Sequence, residues 1–197
     1  MARRFTAAVA ALLVALLAAG CSPSKPSFQN TDVTGAEFGR EFTLKDFNGK
    51  PRTLAEFKGK VVAVFFGFTQ CPDVCPTTLA TMKAVKEKLG ADGDRVQVIF
   101  VSVDPERDTP ELLSKYVTAF DPSFLGLTDT PDAVAQTAKA FKVFYQKVPG
   151  KTPETYTVDH TASTYLYDPQ GRLRLFVRHG QSADAIAQDI RALLGGA

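Results

Sequence analysis

The chain has 197 residues, 45% of them hydrophobic and 22% charged, proportions of one globular domain that exclude a disordered, collagen-like or polytopic membrane protein. Arg3 and Arg4 supply the whole formal charge of +2, and beyond residue 20 the count is 21 Lys+Arg against 21 Asp+Glu. A neutral domain without a Lys/Arg cluster lacks the footprint that a phosphate backbone requires, so nucleic acid is not an expected partner.

Residues 1–4 are a short basic start, and residues 7–19 are an unbroken run of Ala, Val and Leu. This is the pattern of a secretory signal, and the run is shorter than the ~20 residues of a membrane-spanning helix. Its end, Leu17-Ala18-Ala19-Gly20-Cys21, resembles the lipobox of bacterial lipoproteins. That resemblance implies cleavage before Cys21, lipidation of Cys21 and a domain held on the extracytoplasmic, periplasmic face of a bacterial cell membrane. Residues 21–33 are rich in Ser, Pro, Lys, Gln and Asn and predict a flexible tether, with the folded domain over 34–197.

Within the domain, residues 42–44 and 52–54 are short strands turned at Asn48-Gly49, a strong hairpin signal. Residues 60–68 (KVVAVFFGF) and 95–103 (RVQVIFVSV) read as strands buried on both faces. Between them residues 76–89 predict a helix, with Leu79, Met82, Val85 and Leu89 at helical spacing, Pro76 in the first turn and Gly90 at the stop. Helices follow over 108–120 and 131–141, then an inserted hairpin over 143–148 and 155–158. A strand pair over 163–167 and 172–177 and a helix over 182–194 close the chain. Strands alternating with helices predict an α/β layered fold with a mixed central sheet. The Cys71-Pro72-Asp73-Val74-Cys75-Pro76 motif falls at a strand-to-helix junction, where ligand and redox sites of open α/β sheets collect.

Three residues separate Cys71 from Cys75, one more than in a thioredoxin-type redox motif. If one helical turn holds both, their Cβ atoms lie about 5–6 Å apart, slightly wide for a relaxed disulfide and suited to two ligands on one ion. A helix start also favours thiolate over thiol. The bland alternative is an inert local disulfide, but so small a ring would add little stability.

Only His160 and His179 can complete a Cys–His constellation. His179 sits in a polar exit turn, while His160 precedes the strand over 163–167 and can face the cysteines or serve a purely structural role. No fourth Cys or His remains for a structural zinc site. Two thiolates with one imidazole select copper: Cu(I) accepts low coordination, and Cu(II) recruits a further ligand.

Four ordered stretches then carry a family resemblance. They are Phe65-Phe66-Gly67-Phe68-Thr69 running into the cysteine motif, Ser102-Val103-Asp104-Pro105-Glu106-Arg107-Asp108-Thr109-Pro110, Gly126-Leu127-Thr128, and Val158-Asp159-His160-Thr161-Ala162-Ser163. From about Phe38 to Leu193 the chain resembles the Sco/SenC family of thioredoxin-like copper proteins. The resemblance implies a metallochaperone, not an enzyme, that carries copper to the Cu_A centre in subunit II of cytochrome c oxidase, with reduction of that subunit's cysteines as an auxiliary role. It implies Cys71, Cys75 and His160 as the ligands of Cu(I) and Cu(II). Asp104 and Asp108 match the family's acidic loop and, with Asp159, are candidates for supporting the ligands. For Asp108 or Thr109 the competing role is a helix cap ahead of Pro110. A thioredoxin-like reductant is an expected partner, since oxidised cysteines cannot hold copper, and a further periplasmic copper chaperone is a candidate partner. Ser22 departs from the aspartate associated with inner-membrane retention, so inner and outer membrane stay open.

Two rivals are weighed. A dedicated extracytoplasmic thiol–disulfide oxidoreductase would use Cys71 and Cys75 as its redox pair. A peroxiredoxin-like peroxidase is suggested by Val74-Cys75-Pro76-Thr77, but Pro72 stands where its nucleophile needs a Thr, and Cys71 and His160 are left without roles.

Overall fold

The computed structural model describes residues 27–152 and 155–196. In chain order the strands are β1 (Thr31–Asp32), β2 (Thr43–Asp46), β3 (Pro51–Thr53), β4 (Val61–Gly67), β5 (Val96–Ser102), β6 (Leu125–Thr128), β7 (Tyr145–Val148), β8 (Thr157–His160), β9 (Ser163–Tyr167) and β10 (Leu173–Arg178). The α-helices are α1 (Val74–Leu89), α2 (Pro110–Thr118), α3 (Pro131–Ala140) and α4 (Ala183–Leu194).

Eight strands form one mixed sheet in the order β1-β10-β9-β4-β5-β6-β2-β3, and β7 with β8 forms a separate antiparallel ribbon. β4 pairs in parallel with β5 and antiparallel with β9, which leaves it no free edge. Every residue of β4 is buried, which explains its unalternating Val and Phe content. Phe66, Phe141 and Tyr165 pack ring to ring beside it, with centroids 5.1 Å apart for Phe66–Phe141 and 5.6 Å for Phe141–Tyr165.

Helix starts follow local chemistry. Thr109 caps α2 by accepting from Leu112 N–H, Thr130 caps α3 by accepting from Ala133 N–H, and each is followed by proline at the first helical position. Ser182 caps α4 in the same way through Ala185 N–H. Helix α1 differs: Asp73 at its cap position makes no side-chain capping bond, and Cys75 follows two residues later.

Two expectations need correction. The tether was expected to reach residue 33, yet the chain is already packed at Phe28. β1 pairs with β10, and the buried Asp189 of α4 accepts from the N–H of Gln29 (2.8 Å) and of Asn30 (2.9 Å) and from Asn30 Nδ2 (2.7 Å). A polar segment looks unstructured in a sequence because what it satisfies, a buried carboxylate, lies 159 residues away. Residues 1–26, which include the signal, Cys21 and the rest of the tether, lie outside the described residues. Strand β6 was not among the expected elements; a Cβ at its Gly126 would stand 2.5 Å from Leu113 Cγ, so the glycine serves close packing of α2 on the strand. Among the described residues no helix is long and apolar enough to cross a membrane.

Asp189→Ala should cost about 3 kcal/mol, because it leaves three buried or half-buried N–H donors without an acceptor. Thermal unfolding measures the loss, and hydrogen exchange should rise selectively at Gln29 and Asn30. Unchanged exchange there would show that β1 holds the segment without Asp189.

Candidate metal centre

The site begins where β4 ends. Val103 N–H donates to the Gly67 carbonyl at 2.8 Å and Cys71 N–H to the Phe68 carbonyl at 3.2 Å, so the chain turns sharply from strand to cysteine loop. Cys71 precedes α1, whose first residue is Val74, and Cys75 is the second helical residue. The two cysteines therefore do not share a helical turn as the spacing suggested; Pro72 and Asp73 form an extra bend that swings Cys71 over the helix start. Cys75 N–H points at the Cys71 sulfur at 3.4 Å. A Cβ on Gly67 would lie 2.7 Å from Cys75 Sγ, so the sulfur occupies the space that only glycine leaves. Both cysteines are free thiols, Cys75 buried and Cys71 partly exposed.

The imidazole arrives on the β7–β8 ribbon. His160 is the last residue of β8, paired with Tyr145 of β7. Its ring packs edge-on against Phe65 and Phe68, each with centroids 5.9 Å away. Nδ1–H donates to the Thr161 carbonyl at 3.2 Å, a tautomer that leaves the Nε2 lone pair facing Cys75 Sγ at 3.4 Å. Fixing a histidine by a backbone acceptor on its other nitrogen is how metal-binding imidazoles are generally oriented. The sulfurs of Cys71 and Cys75 and a His160 ring nitrogen all lie within 4.8 Å of one another. Bonds of about 2.0–2.3 Å place two ligands of a shared ion roughly 3–4.6 Å apart, so these atoms fit one ion with shifts of a few tenths of an ångström.

Burial sets the protonation of these groups. It pushes the Cys75 thiol well up, and the neighbouring Cys71 adds to the rise. The expected thiolate-favouring effect of the helix start is thus overridden for Cys75, because a sulfur walled off from water loses more solvation than a helix start returns. Burial also moves His160 down from its ordinary value, which keeps the imidazole neutral and able to ligate. A cation held among these atoms reverses the balance at sulfur, since it replaces the missing solvation of the thiolate.

A family model described as SCO1/SenC matches residues 30–195. The chain belongs to the SCO1/SenC family. The mouse protein SCO2 homolog, mitochondrial, is 39% identical over 153 residues, covering 77% of this chain and 60% of the mouse protein. This chain thus matches well under two thirds of that curated relative's length. Among solved structures, Bradyrhizobium japonicum ScoI with copper bound is 42% identical with a TM-score of 0.73, covering 80% of this chain and 99% of that one. BsSco, described as a member of the Sco family of cytochrome c oxidase assembly proteins with a disulfide switch, is 29% identical with a TM-score of 0.64, covering 85% and 98%. The α/β layered fold with a mixed sheet is therefore the thioredoxin-like fold of this family.

The acidic loop of this Sco domain supports the site in two different ways. Asp108 does not cap α2; Thr109 does. Instead Asp108 accepts from Thr69 N–H (3.0 Å), Thr69 Oγ1 (2.6 Å) and Ser102 Oγ (2.6 Å), tying the cysteine loop to the end of β5. Burial raises its carboxyl above the ordinary range, and the three donors pull it back. Asp104, fully buried, accepts from Tyr156 OH at 2.6 Å and from Arg107 Nε. Asp159 is exposed on β8, and its nearby charge raises His160 slightly against the effect of burial. His179 stays outside the cluster, its Nδ1 lying 3.3 Å from Thr78 Oγ1. Thr69, Ser102, Arg107 and Tyr156 were not singled out as individual contributors; the signal for the first three was their place in the stretches that carry the resemblance, and Tyr156 had none.

Proposed function

We propose that this chain is a membrane-anchored copper metallochaperone that delivers copper to the Cu_A centre of cytochrome c oxidase subunit II. The observation that carries this reading is the clustering of two cysteine sulfurs and one histidine nitrogen within 4.8 Å, a soft three-ligand set suited to copper. The copper-bound relative and the relative described as a cytochrome c oxidase assembly protein support it. Cys71, Cys75 and His160 are the ligands, with His160 needed more by Cu(II) than by Cu(I). Cys21 carries the lipid anchor that holds the domain on the extracytoplasmic face.

Unequal burial of the two sulfurs gives transfer a direction. Cys71 is the ligand an acceptor's thiolate can reach, so exchange starts there, and the buried Cys75 lets go last. After release the free pair can exchange with a partner's disulfide: the Cys71–Cys75 disulfide forms as that disulfide takes up the two electrons and two protons, and a thioredoxin-like dithiol partner later returns both. The same free pair supports a second reading, reduction of the acceptor's own cysteines, and the disulfide switch of BsSco favours keeping it.

The test is transfer. Copper-loaded protein mixed with a reduced, metal-free Cu_A domain should lose its copper to that domain and leave a dithiol behind. If copper stays put, while in a parallel reaction the metal-free dithiol form of this protein reduces the disulfide of an oxidised Cu_A domain, the chaperone reading fails and the reductase reading replaces it.

A further inference from the structure

Arg107 is a side chain to which neither the ligand set nor the acidic pattern assigns a role, and it touches every segment that builds the site. Its Nε donates to Asp104. Its Nη1 donates both to the Tyr156 carbonyl at 2.8 Å, ahead of β8, and to Gln70 Oε1 at 3.2 Å, next to Cys71. The guanidinium lies over the Tyr156 ring at 3.6 Å and over the Phe68 ring at 5.8 Å, and Phe68 is one of the two rings flanking His160. Asp104 also takes the Tyr156 hydroxyl, so the Asp104–Arg107 pair grips Tyr156 by its carbonyl, its ring and its hydroxyl at once.

We infer that Arg107, held by Asp104, is the positioning residue that sets where His160 stands relative to Cys71 and Cys75. β8 begins at Thr157, directly after Tyr156, and ends at His160; fixing Tyr156 therefore fixes the entry of the strand that carries the imidazole, while the bond to Gln70 fixes the loop that carries the cysteines. A planar fork can hold both with set angles, which an ammonium cannot. Arg107 Nη2 is buried without a hydrogen-bond partner among the described residues.

This inference rests on the copper reading above and is tested on the full chain, reduced and loaded with copper. Arg107→Gln and Arg107→Lys should each weaken Cu(II) binding about 10-fold, the scale on which groups that orient metal ligands act. Both should alter the nitrogen hyperfine pattern in electron paramagnetic resonance, while Cu(I) binding and disulfide formation change less than about 2-fold because the cysteine pair remains. A purely structural role predicts a lower unfolding temperature with an unchanged nitrogen pattern, and that result overturns the inference. So does wild-type Cu(II) binding by Arg107→Lys, because charge alone would then suffice. If neither variant folds, Tyr156→Phe decides: it removes the hydroxyl to Asp104 and should shift the nitrogen pattern in the same direction, and no shift overturns the inference. His160→Ala run in parallel separates the two levels. Loss of the nitrogen pattern there with none in the Arg107 variants removes the positioning role and leaves the ligand set standing; a pattern unaffected by His160→Ala removes both.

Discussion

Cys71→Ser and Cys75→Ser should each abolish tight copper binding, with a loss beyond the 10- to 100-fold that removal of an orienting group typically costs. A serine hydroxyl does not ionise at neutral pH and is a hard donor, so the remaining thiolate and imidazole form a two-ligand site of poorer match to copper. The two variants should differ in stability. Cys75 is fully buried with its sulfur against Gly67, and a hydroxyl there costs about 1–3 kcal/mol unless it finds an acceptor. Cys71 is partly exposed, and its replacement should leave the unfolding temperature nearly unchanged. Metal analysis together with thermal unfolding reads both effects. Stoichiometric copper with an unchanged absorption spectrum in either variant would rule out the two-sulfur site.

The second large effect concerns oxidation state. His160→Ala should weaken Cu(II) binding about 10- to 100-fold and Cu(I) binding far less, because two thiolates already satisfy a low-coordinate ion. Formation of the Cys71–Cys75 disulfide should stay intact, since the imidazole is not needed to bring the sulfurs together. His179→Ala is the control: its ring faces Thr78 rather than the sulfurs. Electron paramagnetic resonance of the Cu(II) form decides between them. Nitrogen hyperfine structure that survives in the His160 variant, or vanishes in the His179 variant, would contradict the assignment.

Much of this architecture is legible in the sequence where a single strong cause acts. The unbroken Val and Phe run of β4 announces a strand with no exposed face, and the Thr-Pro pairs at 109–110 and 130–131 mark helix starts. Illegible features depend on partners far along the chain. Thr31 and Asp32 gain strand pairing from β10, and Asn30 is drawn in by Asp189. Gly126 lies in a strand through its pairing with Phe100 of β5, and it is glycine because Leu113 packs against it. In the site, the three candidate ligand residues could be named from the sequence, but their environment could not. Whether Cys75 sits at a solvated helix start or buried in the core decides the direction of its acidity, and spacing carries no information about that. Asp108 illustrates the same limit: its position before Thr109-Pro110 suits a cap, and only the return of Thr69 to within 2.6 Å gives it another task.

The ligand set combines one very local pair with one very distant group, since His160 lies 85 residues from Cys75. Closing the chain between the cysteines costs about 3 kcal/mol less entropy than closing it from Cys75 to His160. The imidazole reaches the sulfurs only after β9 has docked on β4, a pairing that includes Val64 with Tyr165. In the unfolded chain the two sulfurs therefore remain near neighbours, whereas the imidazole joins them only in the folded domain. Nitrogen ligation of copper should therefore report a completed fold, which copper bound through the cysteines alone would not.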